Sequence, residues 1–148
     1  MTNDLVERYS DDETFVTVFF GMLERDVGLF TYCNAGHLPA IATRCDGTSR
    51  LLHSNSPLLG AFPGMRFVDD QTYLDAGETL VLYTDGVVEA RSGTEMYGEE
   101  RLLDAVHRLK DCEPAATIDA LLDDLMRFSG GALGDDLAML TVKLVPEG

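Results

Sequence analysis

Thr79-Leu80-Val81-Leu82-Tyr83-Thr84-Asp85-Gly86 is an apolar run, rich in strand-forming residues, that ends on a carboxylate. A second stretch, far away in the chain, has the mirror arrangement. There Asp135-Asp136 comes just before Leu137-Ala138-Met139-Leu140-Thr141-Val142. A carboxylate where a buried strand meets a loop is costly unless its charge is compensated. Mg2+ and Mn2+ compensate it well, because hard cations prefer oxygen ligands. Adjacent carboxylates also repel, and a cation stabilises their ionised forms. The pattern predicts a metal site built from two strand ends remote in sequence. The alternatives are an Asp-Gly tight turn at Asp85 and a solvated loop at Asp135-Asp136.

The elements around these stretches follow from their residue patterns. Met1 to Asp12 is polar, with Leu5, Val6 and Tyr9 at helical spacing, and reads as the end of a helix followed by a loop. Phe15 to Leu23 and Leu29 to Asn34 are β-branched and aromatic, and Glu24 to Gly28 turns between them, so they predict a hairpin. Further strands are predicted at Pro39 to Arg44, around Arg50 to Leu52, at Phe67 to Leu74 and at Leu80 to Tyr83, with a Pro- and Gly-bearing loop from Ser54 to Gly64. Up to Tyr83 this order predicts an antiparallel meander.

The pattern then changes period. Leu102, Leu103, Val106 and Leu109 share one helical face within Glu99 to Lys110. Pro114 opens a second helix with the stripe Ile118, Leu121, Leu122, Leu125 and Phe128, and Gly130-Gly131 stops it. A last strand runs from Leu137 to Leu144. Strands, two helices and a strand predict an α+β layered domain.

Composition narrows the function classes. The chain has 148 residues, enough for one domain with a sizeable core. Its formal net charge of -15 argues against nucleic acid and anionic membrane surfaces as partners. Cys33, Cys45 and Cys112 lack metal-binding or disulfide spacing. No secretory leader and no membrane-length apolar run is present, which predicts a cytoplasmic location. Asn34-Ala35-Gly36-His37 lies between two predicted strands. His37 there is either structural or a residue at the rim of a site.

Taken in order, six motifs carry a resemblance. They are Phe15-Val16-Thr17-Val18-Phe19-Phe20-Gly21, Asn34-Ala35-Gly36-His37-Leu38-Pro39, Pro57-Leu58-Leu59-Gly60, Leu82-Tyr83-Thr84-Asp85-Gly86-Val87-Val88-Glu89-Ala90, Tyr97-Gly98-Glu99-Glu100-Arg101-Leu102 and Gly134-Asp135-Asp136-Leu137-Ala138-Met139-Leu140. The ordered set resembles the SpoIIE/RsbU branch of the PPM (metal-dependent) protein serine/threonine phosphatases. It spans about Glu13 to Val145 and makes residues 1–148 a single domain, the C-terminal three quarters of the family's unit.

The resemblance implies an antiparallel β-sandwich flanked by helices. It implies Mn2+ or Mg2+ held by Asp85 and Asp135, with Asp136 beside it as an outer or alternate ligand, and Gly86, Asn34 and His37 at the rim. It implies attack on phosphoserine or phosphothreonine by a metal-activated water, without a phosphoenzyme. The implied substrate is a phosphorylated anti-anti-sigma-type protein. The family's earlier Gly-Asp motif has no counterpart before Phe15, so this chain is expected to keep part of the ligand set and to show little activity alone. An uncovered apolar sheet face is expected to favour a homodimer. The alternative is a non-catalytic module that binds a phosphoprotein or regulator.

Overall fold

In the computed structural model the strand that leads to Asp85, β6 (Thr79–Tyr83), is an interior strand of a four-stranded sheet. The structure describes residues 2–9, 15–132, 134 and 136–145, with Tyr9 by its backbone alone. Two units are distinguished, Ala40–Leu51 with Asp75–Gly148, and Met1–Pro39 with Leu52–Leu74.

The unit that holds β6 orders its sheet β4-β3-β6-β9, with β3 at Ala40–Thr43, β4 at Ser49–Leu52 and β9 at Met139–Lys143. β6 is antiparallel to both neighbours. It pairs Val81 with Ile41 on one side, and Leu82 with Leu140 and Tyr83 with Met139 on the other. Leu80 and Val81 point to opposite faces of the sheet and are both buried. The helices α3 (Gly98–Arg108) and α4 (Pro114–Ser129) bury Leu102, Ala105 and Val106, and Thr117, Leu121 and Leu125, respectively. Leu102, Val106, Leu121 and Leu125 belong to the predicted stripes, Ala105 and Thr117 do not, and Leu122 of the second stripe is exposed. Pro114 sits in the first turn of α4, and Gly130, at φ +68, closes the helix in the left-handed conformation that glycine adopts without strain.

Tyr97, just before α3, is buried. Its hydroxyl donates to Asp124 Oδ2 at 2.6 Å, and its ring meets Phe128 edge-on. Burial first, then the bond to and charge of Asp124, raise the Tyr97 phenol above its ordinary value of 10.0. A raised phenol pKa means the fold favours the neutral form. That stability is whole below the unfolded value and is lost as pH rises through the folded one. The urea midpoint is therefore expected to fall as pH rises above about 10. Tyr97→Phe should remove part of that drop, and an unchanged pH slope in the variant would contradict the assignment.

The other unit carries α1 (Thr2–Tyr9), the hairpin β1 (Val18–Glu24) and β2 (Leu29–Ala35), and β5 (Asp70–Tyr73), in the order β1-β2-β5. The predicted hairpin is present, with Phe20 opposite Cys33. Phe19, Phe30 and Tyr32 stack on one face with centroids 5.5 to 6.3 Å apart. A methyl on Gly21 would collide with the Phe30 ring, so glycine there leaves room for the stack. Phe20 and Met22 point to the opposite face, 64% and 55% exposed. Asn3 anchors α1 to the loop: its Oδ1 accepts from Gly60 N, and its Nδ2 donates to the Phe62 carbonyl.

One expectation is corrected. The strands do not form a meander, because β2 pairs with β5 and β3 pairs with β6. The chain leaves the β2 ladder at Gly36, whose φ is +72, and at Pro39, which has no amide hydrogen to offer a ladder. Every residue of β3 is buried, as suits an interior strand. The predicted Phe67 to Leu74 strand is also shorter, at Asp70–Tyr73. Among the described residues, no helix is long and apolar enough to cross a membrane.

Candidate metal centre

The junction after β6 and the approach to β9 meet through the backbone. Thr84 N donates to the Ala138 carbonyl at 3.0 Å, and Ala138 N donates to Thr84 Oγ1 at 3.0 Å. The pairing that runs through Tyr83 and Met139 thus carries on by one step to Thr84 and Ala138. Asp85 follows Thr84 as the first residue of a one-turn helix, α2 (Asp85–Val88). Asp136 stands two residues before Ala138. The two carboxylates are therefore carried on neighbouring strand tips although about 50 residues separate them.

Gly86 sets the closeness of the tips. It is buried against the backbone of Asp136, and a methyl there would run into the Asp136 carbonyl oxygen and lie 3.1 Å from its carbon. Asp85 is one Cα step, about 3.8 Å, from this contact. The resemblance implies a place for Gly86 at the rim of the site. What the glycine admits in the structure is the Asp136 carbonyl. A backbone neighbour cannot rotate away, so Gly86→Ala is expected to cost about 1–3 kcal/mol and to weaken Mn2+ binding. Thermal unfolding and a Mn2+ titration check this, and a variant matching wild type in both would contradict it.

Asp85 and Asp136 are both exposed. Asp85 Oδ1 accepts from the Gly86 amide at 3.0 Å, which fixes the carboxylate's orientation. Asp135 lies outside the described residues. Among the described residues, no three His, Cys, Asp or Glu side chains form a group able to hold a metal. The donor chemistry nonetheless fits a hard divalent ion: carboxylate oxygens from two tips, with open solvent to supply the waters that Mg2+ and Mn2+ retain.

Asn34 and His37 belong to the other unit and build a turn there. Asn34 is fully buried. Its Oδ1 accepts from His37 N at 2.9 Å, and its Nδ2 donates to the Leu38 and Leu52 carbonyls. Both amide hydrogens are thus in use within the fold. His37 is half-buried, with Nδ1 3.1 Å from the Leu38 carbonyl.

Sequence reasoning missed three features of the site. Thr84 is the residue that ties the tips, and its signal was a hydroxyl directly before Asp-Gly. α2 replaces an open loop after Asp85. The third feature is a cavity of about 480 Å3 beside Gly86, lined also by Glu89, Arg91, Ser129 and Gly134.

Comparison with known proteins gives a consistent result. The family model described as Stage II sporulation protein E (SpoIIE) matches residues 1–145. Protein IcfG of Synechocystis sp. is 33% identical over 145 residues, covering 96% of this chain and 23% of that protein. Phosphoserine phosphatase RsbU of Bacillus subtilis is 25% identical over 142 residues, covering 95% and 42%. The manganese-presoaked phosphatase domain of SpoIIE from Bacillus subtilis superposes with a TM-score of 0.76 at 17% identity, covering 99% of this chain and 64% of that one. The chain thus spans less than half the length of either relative.

Proposed function

The chain belongs to the SpoIIE/RsbU-like branch of the PPM phosphatase family, and from that premise we propose that it is the part of a protein serine/threonine phosphatase that carries Asp85, Asp135 and Asp136 as ligands for Mn2+ or Mg2+. The proposed substrate is a phosphoserine or phosphothreonine on a regulatory protein of the anti-anti-sigma type. The name of one relative, phosphoserine phosphatase RsbU, supports this chemistry. The observation that carries the reading is the junction of the two acidic tips, held by the paired Thr84–Ala138 hydrogen bonds and by the close approach of Gly86 to Asp136.

In this reading each residue has a physical task. Asp85 presents its carboxylate from the first turn of α2, steered by the Gly86 amide. Thr84 holds the second tip in register. Gly86 leaves no side chain between the tips. The three carboxylates supply the negative charge that a divalent ion needs. When bound, the ion supplies an acidified water and offsets charge on the phosphoryl oxygens.

The test is phosphate release from a phosphoserine peptide by this chain at saturating Mn2+. Slow release that disappears with EDTA and in Asp85→Asn is expected. Release no greater than in Asp85→Asn would overturn the catalytic reading in favour of the binding module.

A further inference from the structure

We propose that Arg91 binds the phosphoryl group of the phosphoserine substrate from the wall of the cavity beside Gly86. This rests on the phosphatase reading and extends it to a residue that binds substrate rather than metal.

The arginines of this unit set Arg91 apart. Arg44 pairs with Asp75, Arg50 with Glu78, Arg101 with Glu95, and Arg108 and Arg127 both with Asp124. Among the described residues, the Arg91 guanidinium has no ion-pair or hydrogen-bond partner. The chain carries 26 acidic and 11 basic residues. The neighbours of Arg91 do not neutralise it, although acids are abundant on this molecule.

Position gives the spare charge a use. The cavity is lined by Gly86, the residue next to Asp85, by Arg91 and Gly93, and by Ser129, Ala132 and Gly134. Gly134 directly precedes Asp135-Asp136 in sequence. Arg91 therefore lines the same cavity as Gly86 and Gly134, which flank the two acidic stretches in sequence. Its backbone is fixed: β7 (Arg91–Ser92) pairs with β8 (Glu95–Met96), with Arg91 opposite Met96, and Tyr97 N donates to the Ala90 carbonyl at 2.8 Å. A guanidinium on a fixed backbone offers the planar fork of donors that matches phosphoryl oxygens.

Among the described residues, Glu89 is the other charged group that lines the cavity. Its carboxylate would repel a free anion but accept from the backbone N–H groups of a peptide. The pair of charges thus favours a phosphoserine within a polypeptide over inorganic phosphate.

The experiment is an NMR titration of the 15N-labelled chain, in Mg2+, with a short phosphoserine peptide, its unphosphorylated counterpart and inorganic phosphate. The phosphopeptide is expected to shift the amides of Gly86 and of Glu89 to Gly93, and to bind more tightly than either control. Arg91→Ala should bind it about tenfold more weakly, with Mg2+ affinity unchanged. Arg91→Lys should recover part of the loss. Equal phosphopeptide affinity in Arg91→Ala, no binding to wild type, or equal binding of the unphosphorylated peptide would each overturn the proposal. Failure of the metal reading shows separately, as Mg2+ affinity that survives Asp85→Asn.

Discussion

Glu78→Ala is expected to destabilise the chain by about 3–5 kcal/mol, the cost of leaving one partner of a buried ion pair alone. The Glu78 side chain is wholly buried at the start of β6. Its Oε1 faces the Arg50 guanidinium, which is itself mostly shielded, and its Oε2 accepts from the Asp75 amide at 2.9 Å. Arg44 lies 4.0 Å from Glu78 and bonds Asp75 at 2.9 Å. Removing the carboxylate strands the Arg50 charge in a site built for a pair and frees the turn that feeds β6. A typical domain has only about 5–15 kcal/mol to lose, so the variant should unfold at far lower urea. The double variant Glu78→Ala with Arg50→Ala should recover part of the loss, because the stranded charge goes too. Additive losses would mean the two side chains do not act as a pair.

The second large effect concerns the ion. Asp85→Asn is expected to weaken Mn2+ binding by at least about 100-fold, since even groups that only orient a metal ligand cost 10–100-fold when removed. The substitution keeps the shape of the side chain, and an amide oxygen is a poorer ligand than a carboxylate. Asp85 is exposed on a one-turn helix, so stability should change little. Calorimetric titration separates the outcomes: folding intact with affinity lost supports a ligand, and affinity retained removes Asp85 from the site. Asp135→Asn and Asp136→Asn, measured alongside, divide the task between the two neighbours.

Much of this was legible in the residues. The strand runs around Val81 and Thr141 declare themselves by β-branched content, and the helix stripes by period, down to Leu121 and Leu125 as buried positions. Which strands pair was not legible, because β2 and β3 have no side chain that names a partner. Their pairing depends on how the turn at Gly36 and Pro39 redirects the chain. α2 and the β7–β8 hairpin were too short for any period to emerge. The Glu78 pair was hidden because a turn sequence, Asp75 to Glu78, does not announce burial. Asp85 and Asp136 were found as types and positions. The role of Thr84 required coordinates, since a hydroxyl before Asp-Gly fits a loop equally well.

The central claim is that two remote strand tips share one divalent ion, and paramagnetic broadening reads it directly. Mn2+ added in substoichiometric amounts to the 15N-labelled chain should broaden the amides of Gly86 and Val87 together with those of Asp136 to Ala138, before any others. Broadening confined to one tip, or centred elsewhere on the acidic surface, would contradict it.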